Sequence, residues 1–194
     1  MKTTFHKLLK STIVLSSIAT GVFAQAQTSW PGTSSVKVIV PFSAGGASDV
    51  LTRALSQRLQ DKIGGNWVVE NRTGAGGNIG MEAVKSAAPD GTMISSATIG
   101  TLSINQFLFA KLPYDPIKDF TPIVRTGDLP FALVVNASSP IKTVKDLIEN
   151  ARANPGKFSY ATPNSTSLVS SETIRVMAKI DILGIPYKSS PQAL

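Results

Sequence analysis

The sequence predicts an α/β architecture of doubly wound, mainly parallel sheets. Three observations carry that prediction. Short β-branched strands alternate with amphipathic helical segments, and glycine-rich turns follow several of the strands. The chain of 194 residues is 42% apolar and 16% charged, the balance of a globular protein with material for a core. Its length fits one ordinary domain or two small ones.

The first 26 residues stand apart. Lys2, Lys7 and Lys10 precede an apolar, small-residue run over 13–23, and Ala24-Gln25-Ala26 matches an A-x-A cleavage pattern. The run is shorter than the roughly 20 residues a membrane span needs. A secretory signal peptide over 1–26 is therefore expected, with a mature chain from about Gln27. Its removal takes three lysines and no acids from the formal charge of +7, leaving +4. That mild excess, spread along the chain, points away from nucleic acid. The single histidine, His6, leaves with the same segment, and the chain has no cysteine. Ser-His-Asp and Cys-His nucleophiles, zinc sites of Cys and His, and disulfides are then all excluded from the mature chain.

The elements follow in order. Val36, Val38, Ile39 and Val40 make a first strand over 36–40, which Pro41 ends. Gly45-Gly46 form a tight turn, and Ser48 or Asp49 is expected to cap a helix over 49–63. Its apolar positions Val50, Leu51, Ala54, Leu55, Leu59 and Ile63 should face the core, with Gly64-Gly65 closing its C-terminus. A second strand is expected over 67–70, a glycine-rich loop over 71–77 and a helix over 78–88 with Ile79, Ala83, Val84 and Ala87 inward. Pro89-Asp90-Gly91 is a turn before a third strand over 92–98. A loop over 99–103 and a short helix over 104–109 come next.

The segment 111–122 holds three prolines and is expected to be an ordered connection toward a second lobe. Strands are predicted over 123–125 and 131–135, then a helix over 143–153 capped by Thr143 with Asp146 in its first turn. Further strands are expected over 158–161 and 182–186, flanking a helix over 166–178. Pro191-Gln192-Ala193-Leu194 looks like a first helical turn with no cap after it. That predicts a chain ending inside an element, the alternative being a frayed natural terminus.

In open α/β sheets, ligands sit beyond the carboxyl ends of strands. The loops 42–48, 71–77, 99–103 and 162–166 fall there, rich in Gly, Ser, Thr and Asn and poor in cations apart from Arg72. Such loops accept carboxylates through backbone N–H groups and hydroxyls, and a helix N-terminus adds its positive dipole end. Each loop alone is also ordinary turn chemistry. The run GAGGNIG resembles a dinucleotide fingerprint, but counting G-x-G-x-x-G from Gly74 puts Ile79 at the third glycine. No phosphate-binding G-x-x-x-x-G-K-[ST] run exists. No cofactor is expected. Asp49 has two readings, ligand contact or helix-start partner, and Phe42 is either a shield for a ligand or plain core. Tyr187-Lys188 follows a strand and could reach the cleft or remain solvated surface.

Several longer segments, VPFSAGGASDVLTRALSQRL, VVENRTGAGGNIGMEAVKSAAPDG and LPYDPIKDFTPI, resemble the periplasmic receptors of tripartite tricarboxylate transporters, the Bug or TctC-like family. KTVKDLIENARANPGKFSYAT and IPYKSSPQAL look like the second lobe of the same family. The resemblance implies a two-lobed, clam-shell fold similar to the type II periplasmic binding proteins. It also implies an exported receptor, located in the periplasm, that delivers small mono-, di- or tricarboxylates to membrane permease subunits. In that family the loop matching 42–49 holds ligand carboxylates through backbone N–H groups, with facing donors from loops matching 99–103 and 163–167.

Carried onto this chain, the resemblance and the loop chemistry nominate Phe42, Ser43, Gly45, Gly46, Asp49, Gly76, Thr101, Asn164, Ser165 and Thr166 as ligand contacts. The chain departs from the pattern where 163–168 lacks the usual glycines and histidine, and at Gly184 and Ser189. Family members also continue beyond the point matching Leu194. The expected division is a signal peptide over 1–26, a first lobe over 27–124 and a partial second lobe over 125–194. A monomer without metal, nucleic acid or catalysis is expected. Two alternatives stay open: a non-functional receptor remnant, and an exported enzyme using only carboxylates and lysine, for which the loops supply no converging pair of acids.

Overall fold

A computed structural model describes residues 30–194; the expected signal peptide lies outside the described residues. The central strand β1 (Ser35–Val40) runs parallel to β2 (Asn66–Asn71) on one side and to β3 (Met93–Ser95) on the other. Val38 stands opposite Val69 in β2 and Ile94 in β3. Val36, Val38, Ile39 and Val40 are all buried, as a central parallel strand covered on both faces requires. Trp67 closes one end of this core against Val36 and Val38, stacking edge-on to Trp30.

Helix α1 (Ala47–Ile63) packs over β1 and β2, but not on the face its apolar residues predict. Asp49, Thr52 and Ser56 are the buried positions, while Val50 is 59% exposed and Leu59 and Ile63 also face out. The polar face can turn inward because its groups are satisfied there: Thr52 Oγ1 donates to the Ser48 carbonyl at 2.6 Å, and the Asp49 carboxylate is fully partnered. The cap also differs from expectation. Gly46, with no side chain to accept a first-turn N–H, occupies the N-cap position, and Ser48 and Asp49 lie inside the first turn.

A glycine turn (Ala75–Gly77) leads into α2 (Asn78–Lys85), where Asn78, Gly80 and Met81 are buried and Ile79 is half exposed. After β3 the chain enters a π-helical turn (Gly100–Ile104), where an irregular loop was expected, and continues into α3 (Asn105–Leu108). The proline-rich connection that follows is pinned to this first unit. Lys85 Nζ reaches the Pro113 carbonyl at 2.9 Å and Asp119 at 3.1 Å, and buried Tyr114 packs edge-on against Phe120.

The strands expected over 123–125 and 131–135 do not form. Residues 121–135 run as a ribbon without ladder partners, and Ile123, Val124 and Val134 are 78%, 74% and 62% exposed. A β-branched run describes a surface that suits a sheet, and it becomes a strand only where a neighbouring strand accepts it.

The second unit is a parallel pair, β4 (Phe158–Thr162) beside β5 (Ile182–Pro186), with α4 (Val144–Ala153) and α5 (Ser165–Ala178). Thr143 caps α4 as expected, its hydroxyl accepting the Asp146 N–H at 3.1 Å while the Asp146 carboxylate takes the Thr143 N–H at 2.9 Å. Asn164 and Ser167 make the same reciprocal cap on α5. The chain closes on a single turn, α6 (Ser190–Ala193).

Candidate functional site

Both sheets turn the carboxyl ends of their strands toward one cavity of about 830 Å³. All five strand-end loops contribute to its wall: Ser43 and Gly46 after β1, Gly76 after β2, Ala97 to Gly100 after β3, Asn164 to Thr166 after β4, and Lys188 to Ser190 after β5. The ribbon from Pro122 to Phe131 forms the remaining side. A smaller cavity of about 440 Å³ adjoins it, sharing Phe42, Gly76, Pro163 and Lys188. Two helices, α1 and α5, begin at the main cavity, since Ala47 and Ser48 line it from one unit and Ser165 and Thr166 from the other. First-turn N–H groups have no acceptor within their own helix, so each start offers donors and the positive end of its dipole.

The turn between β1 and α1 is braced from beneath. The Gly45 N–H donates to Asp49 Oδ2 at 2.9 Å, Arg53 Nε donates to the same oxygen at 3.0 Å, and Asn71 Nδ2 donates to Asp49 Oδ1 at 2.9 Å. Asn71 Nδ2 also lies 2.9 Å from the Phe42 carbonyl, joining the end of β2 to the same turn. The Arg53 guanidinium, helped by the Gly45 and Asn71 donors, holds the Asp49 carboxyl down to about 2. Asp49 is thus an anion already spent on the scaffold.

A second polar group lies behind the opposite wall. Asn105, fully buried, donates through Nδ2 to the Gly76 carbonyl at 3.0 Å and to Asn78 Oδ1 at 2.6 Å. Tyr114 Oη donates to the Thr101 carbonyl at 2.6 Å and sits 3.1 Å from Asn78 Oδ1; burial pushes its phenol pKa up. Glycine is required where this group meets the glycine turn. Gly76 has φ of +65°, and a Cβ there would lie 2.9 Å from Ser165 Oγ. At Gly77, φ is +95° and a Cβ would sit 2.6 Å from Thr101 Cγ2.

Of the residues nominated from sequence, Phe42, Ser43, Gly46, Gly76, Asn164, Ser165 and Thr166 line the cavity. Gly45, Asp49 and Thr101 do not: Gly45 and Asp49 bond to each other, and the buried Thr101 hydroxyl returns to the Thr98 backbone at 3.1 Å. Sequence reasoning placed Ser48 in a candidate loop without nominating it, and missed Leu51, Ala97, Thr98 and the ribbon as wall residues. Their position just before or after nominated loops was the available signal for Leu51, Ala97 and Thr98. The ribbon offered none, because its segments looked like strands. Arg125 and Lys188 bring cations to the wall, and Arg125 is paired with Asp128.

Two parallel α/β units that present their strand ends to a shared cleft define the two-lobed periplasmic-binding-protein architecture. Among solved structures, R. palustris Rpa4515 with adipate matches at 35% identity and a TM-score of 0.81, covering 84% of this chain and 55% of that one. MatC (Rpa3494) from Rhodopseudomonas palustris with bound malate matches at 30% identity and a TM-score of 0.76, covering 82% and 55%. A UPF0065 protein from the tcbD-tcbE intergenic region of Pseudomonas sp. (strain P51) is 37% identical over 158 residues, 80% of this chain and 47% of its own length. The family model for the tripartite tricarboxylate transporter family receptor (TctC) matches residues 51–194. The chain belongs to that receptor family, and it spans about half the length of the curated relatives it matches.

Proposed function

We propose that this chain is an exported solute receptor whose cavity takes a small mono-, di- or tricarboxylate, and that it serves the permease of a tripartite transporter. The observation that carries the reading is the convergence of two helix starts, α1 and α5, on one cavity from opposite lobes. Free N–H groups, the Ser43, Ser48 and Thr166 hydroxyls, and the Lys188 ammonium all favour an anion there. The one acid on the wall, Asp128, is paired with Arg125, so no free carboxylate opposes the ligand. The adipate and malate bound to the two structural relatives support the same ligand class. Capture rests on hydrogen bonding and the approach of two walls, and involves no covalent step.

Titration calorimetry with adipate, malate, citrate and acetate, against the dimethyl ester of malate and a neutral sugar, tests the reading. Saturable heat with at least one acid and none with its ester is expected. Equal response to acid and ester, or no heat with any acid, overturns it.

A further inference from the structure

The two lobes are stitched together by hydrogen bonding at one point. Ser165 Oγ, in the first turn of α5, donates to Asn105 Oδ1 at 2.5 Å across 60 residues of sequence. Among the described residues, no other hydrogen bond or ion pair joins the chain before residue 120 to the chain after residue 140. Among the described residues, the ribbon between those limits bonds only within itself or to its own continuation at Ile141 and Lys142. Everything else at this contact is close apposition: Ser165 lies over Gly76, and Thr166 Oγ1 would be 3.4 Å from a Cβ on Gly100.

The acceptor end of that single bond is a hub. Asn105 uses its amide nitrogen on the Gly76 carbonyl and on Asn78, whose oxygen also meets the Tyr114 hydroxyl that holds the Thr101 carbonyl. Gly76, Gly100 and Ser165 line the cavity; Asn105 itself does not. We propose that Asn105 is the positioning residue of the binding site: through Ser165 it fixes the start of α5 against the glycine turn, and so sets the distance between the two walls that receive the ligand. All three side-chain polar atoms of Asn105 and Ser165 are engaged in this contact, so neither side chain offers a donor to a ligand. An amide suits the position because it must donate toward the first lobe and accept from the second at once.

The proposal's affinity arm rests on the carboxylate reading; its distance arm does not. The chain has no cysteine, so a spin-label pair can be placed at exposed sites on the two lobes, Arg58→Cys on α1 and Val176→Cys on α5, in the full chain. The labelled chain should give one narrow distance distribution. Ser165→Ala removes only the crossing hydroxyl and sits where a helix tolerates alanine, so it should still fold cooperatively and broaden that distribution. In carboxylate titrations it should weaken binding by about tenfold, the loss of one buried hydrogen bond. Adding Asn105→Ala to Ser165→Ala should cost no further affinity beyond the larger single effect, because both act through the same bond.

An unchanged distribution in Ser165→Ala overturns the proposal, and so do additive losses in the double variant. A merely structural bond would lower the melting temperature and leave the distance alone, which also counts against it. If Asn105→Ala does not fold, Ser165→Ala still decides on distance. If the unsubstituted chain binds no carboxylate, the ligand reading fails while the distance result stands.

Discussion

Asp49→Asn separates scaffold from ligand contact at the β1–α1 turn. The carboxylate accepts from Gly45, Arg53 and Asn71, and its pKa stands at about 2 against an ordinary 3.8. At roughly 1.4 kcal/mol per unit, the ionised form would stabilise the fold by about 2.5 kcal/mol relative to the protonated one before screening. Asp49 itself is buried but its main partner, Arg53, is half exposed, so solvent screening trims this to about 2 kcal/mol. Because the folded pKa is depressed, the contribution is complete above the unfolded value near pH 4 and fades as pH falls toward 2. Asparagine loses the charge and points an N–H₂ group at donors.

The variant should therefore lose about 2 kcal/mol at pH 7, a fall of roughly 4–8 °C in Tm for a chain of this size. Urea titrations from pH 7 to pH 2 would read both quantities. The unsubstituted chain should lose stability between pH 4 and pH 2 with an extra proton taken up, and the variant should lack that component. Equal stability at pH 7 with an unchanged acid limb would refute the brace. If, in addition, carboxylate affinity collapsed, Asp49 would be a ligand contact after all.

Gly76→Ala should cost about 1–3 kcal/mol in urea unfolding, since it forces a side chain into a left-handed conformation and against Ser165 Oγ at 2.9 Å; it should also weaken carboxylate binding. Thr143→Ala removes the cap of α4, far from the cavity, and should lower stability by about 1 kcal/mol with calorimetric affinity unchanged.

The parts legible in the sequence are those set by local chemistry. Thr143 with Asp146 announced α4, Pro41 ended β1, and the β-branched runs located β1, β2 and β5 to within a residue or two. The strand-end loops were legible as a group because turn residues cluster after parallel strands, and seven of ten nominated residues reach the cavity wall. What stayed hidden depends on partners distant in sequence. Apolar periodicity assigned the wrong face of α1, because Asp49 is buried by donors from Asn71 and Gly45 that no helical pattern records. The run at 131–135 has strand-like composition and no partner among the described residues. Asn105 gave no signal at all: an asparagine in a four-residue helix is unremarkable until Ser165 arrives from 60 residues away.

The wall chemistry bears on how selectivity divides between backbone and side chain. On the carboxylate reading, helix starts and glycine turns hold the anion through backbone N–H groups, which every residue except proline carries, so the side chains there do little to tell one acid from another. What distinguishes one acid from another must then come from groups placed beyond the carboxylate. Here those are Leu51, Lys188 and the ribbon that includes Arg125 and Phe131. The ribbon is joined to neither lobe by a hydrogen bond among the described residues, so its position follows from packing and from the two anchors at its ends. On this reading the receptor separates a fixed anion cradle, set by the Asp49 brace and the Asn105 stitch, from an adjustable wall. Changes in ligand preference should map to the ribbon and Lys188, and changes in affinity common to all acids should map to Asp49, Gly76, Asn105 and Ser165.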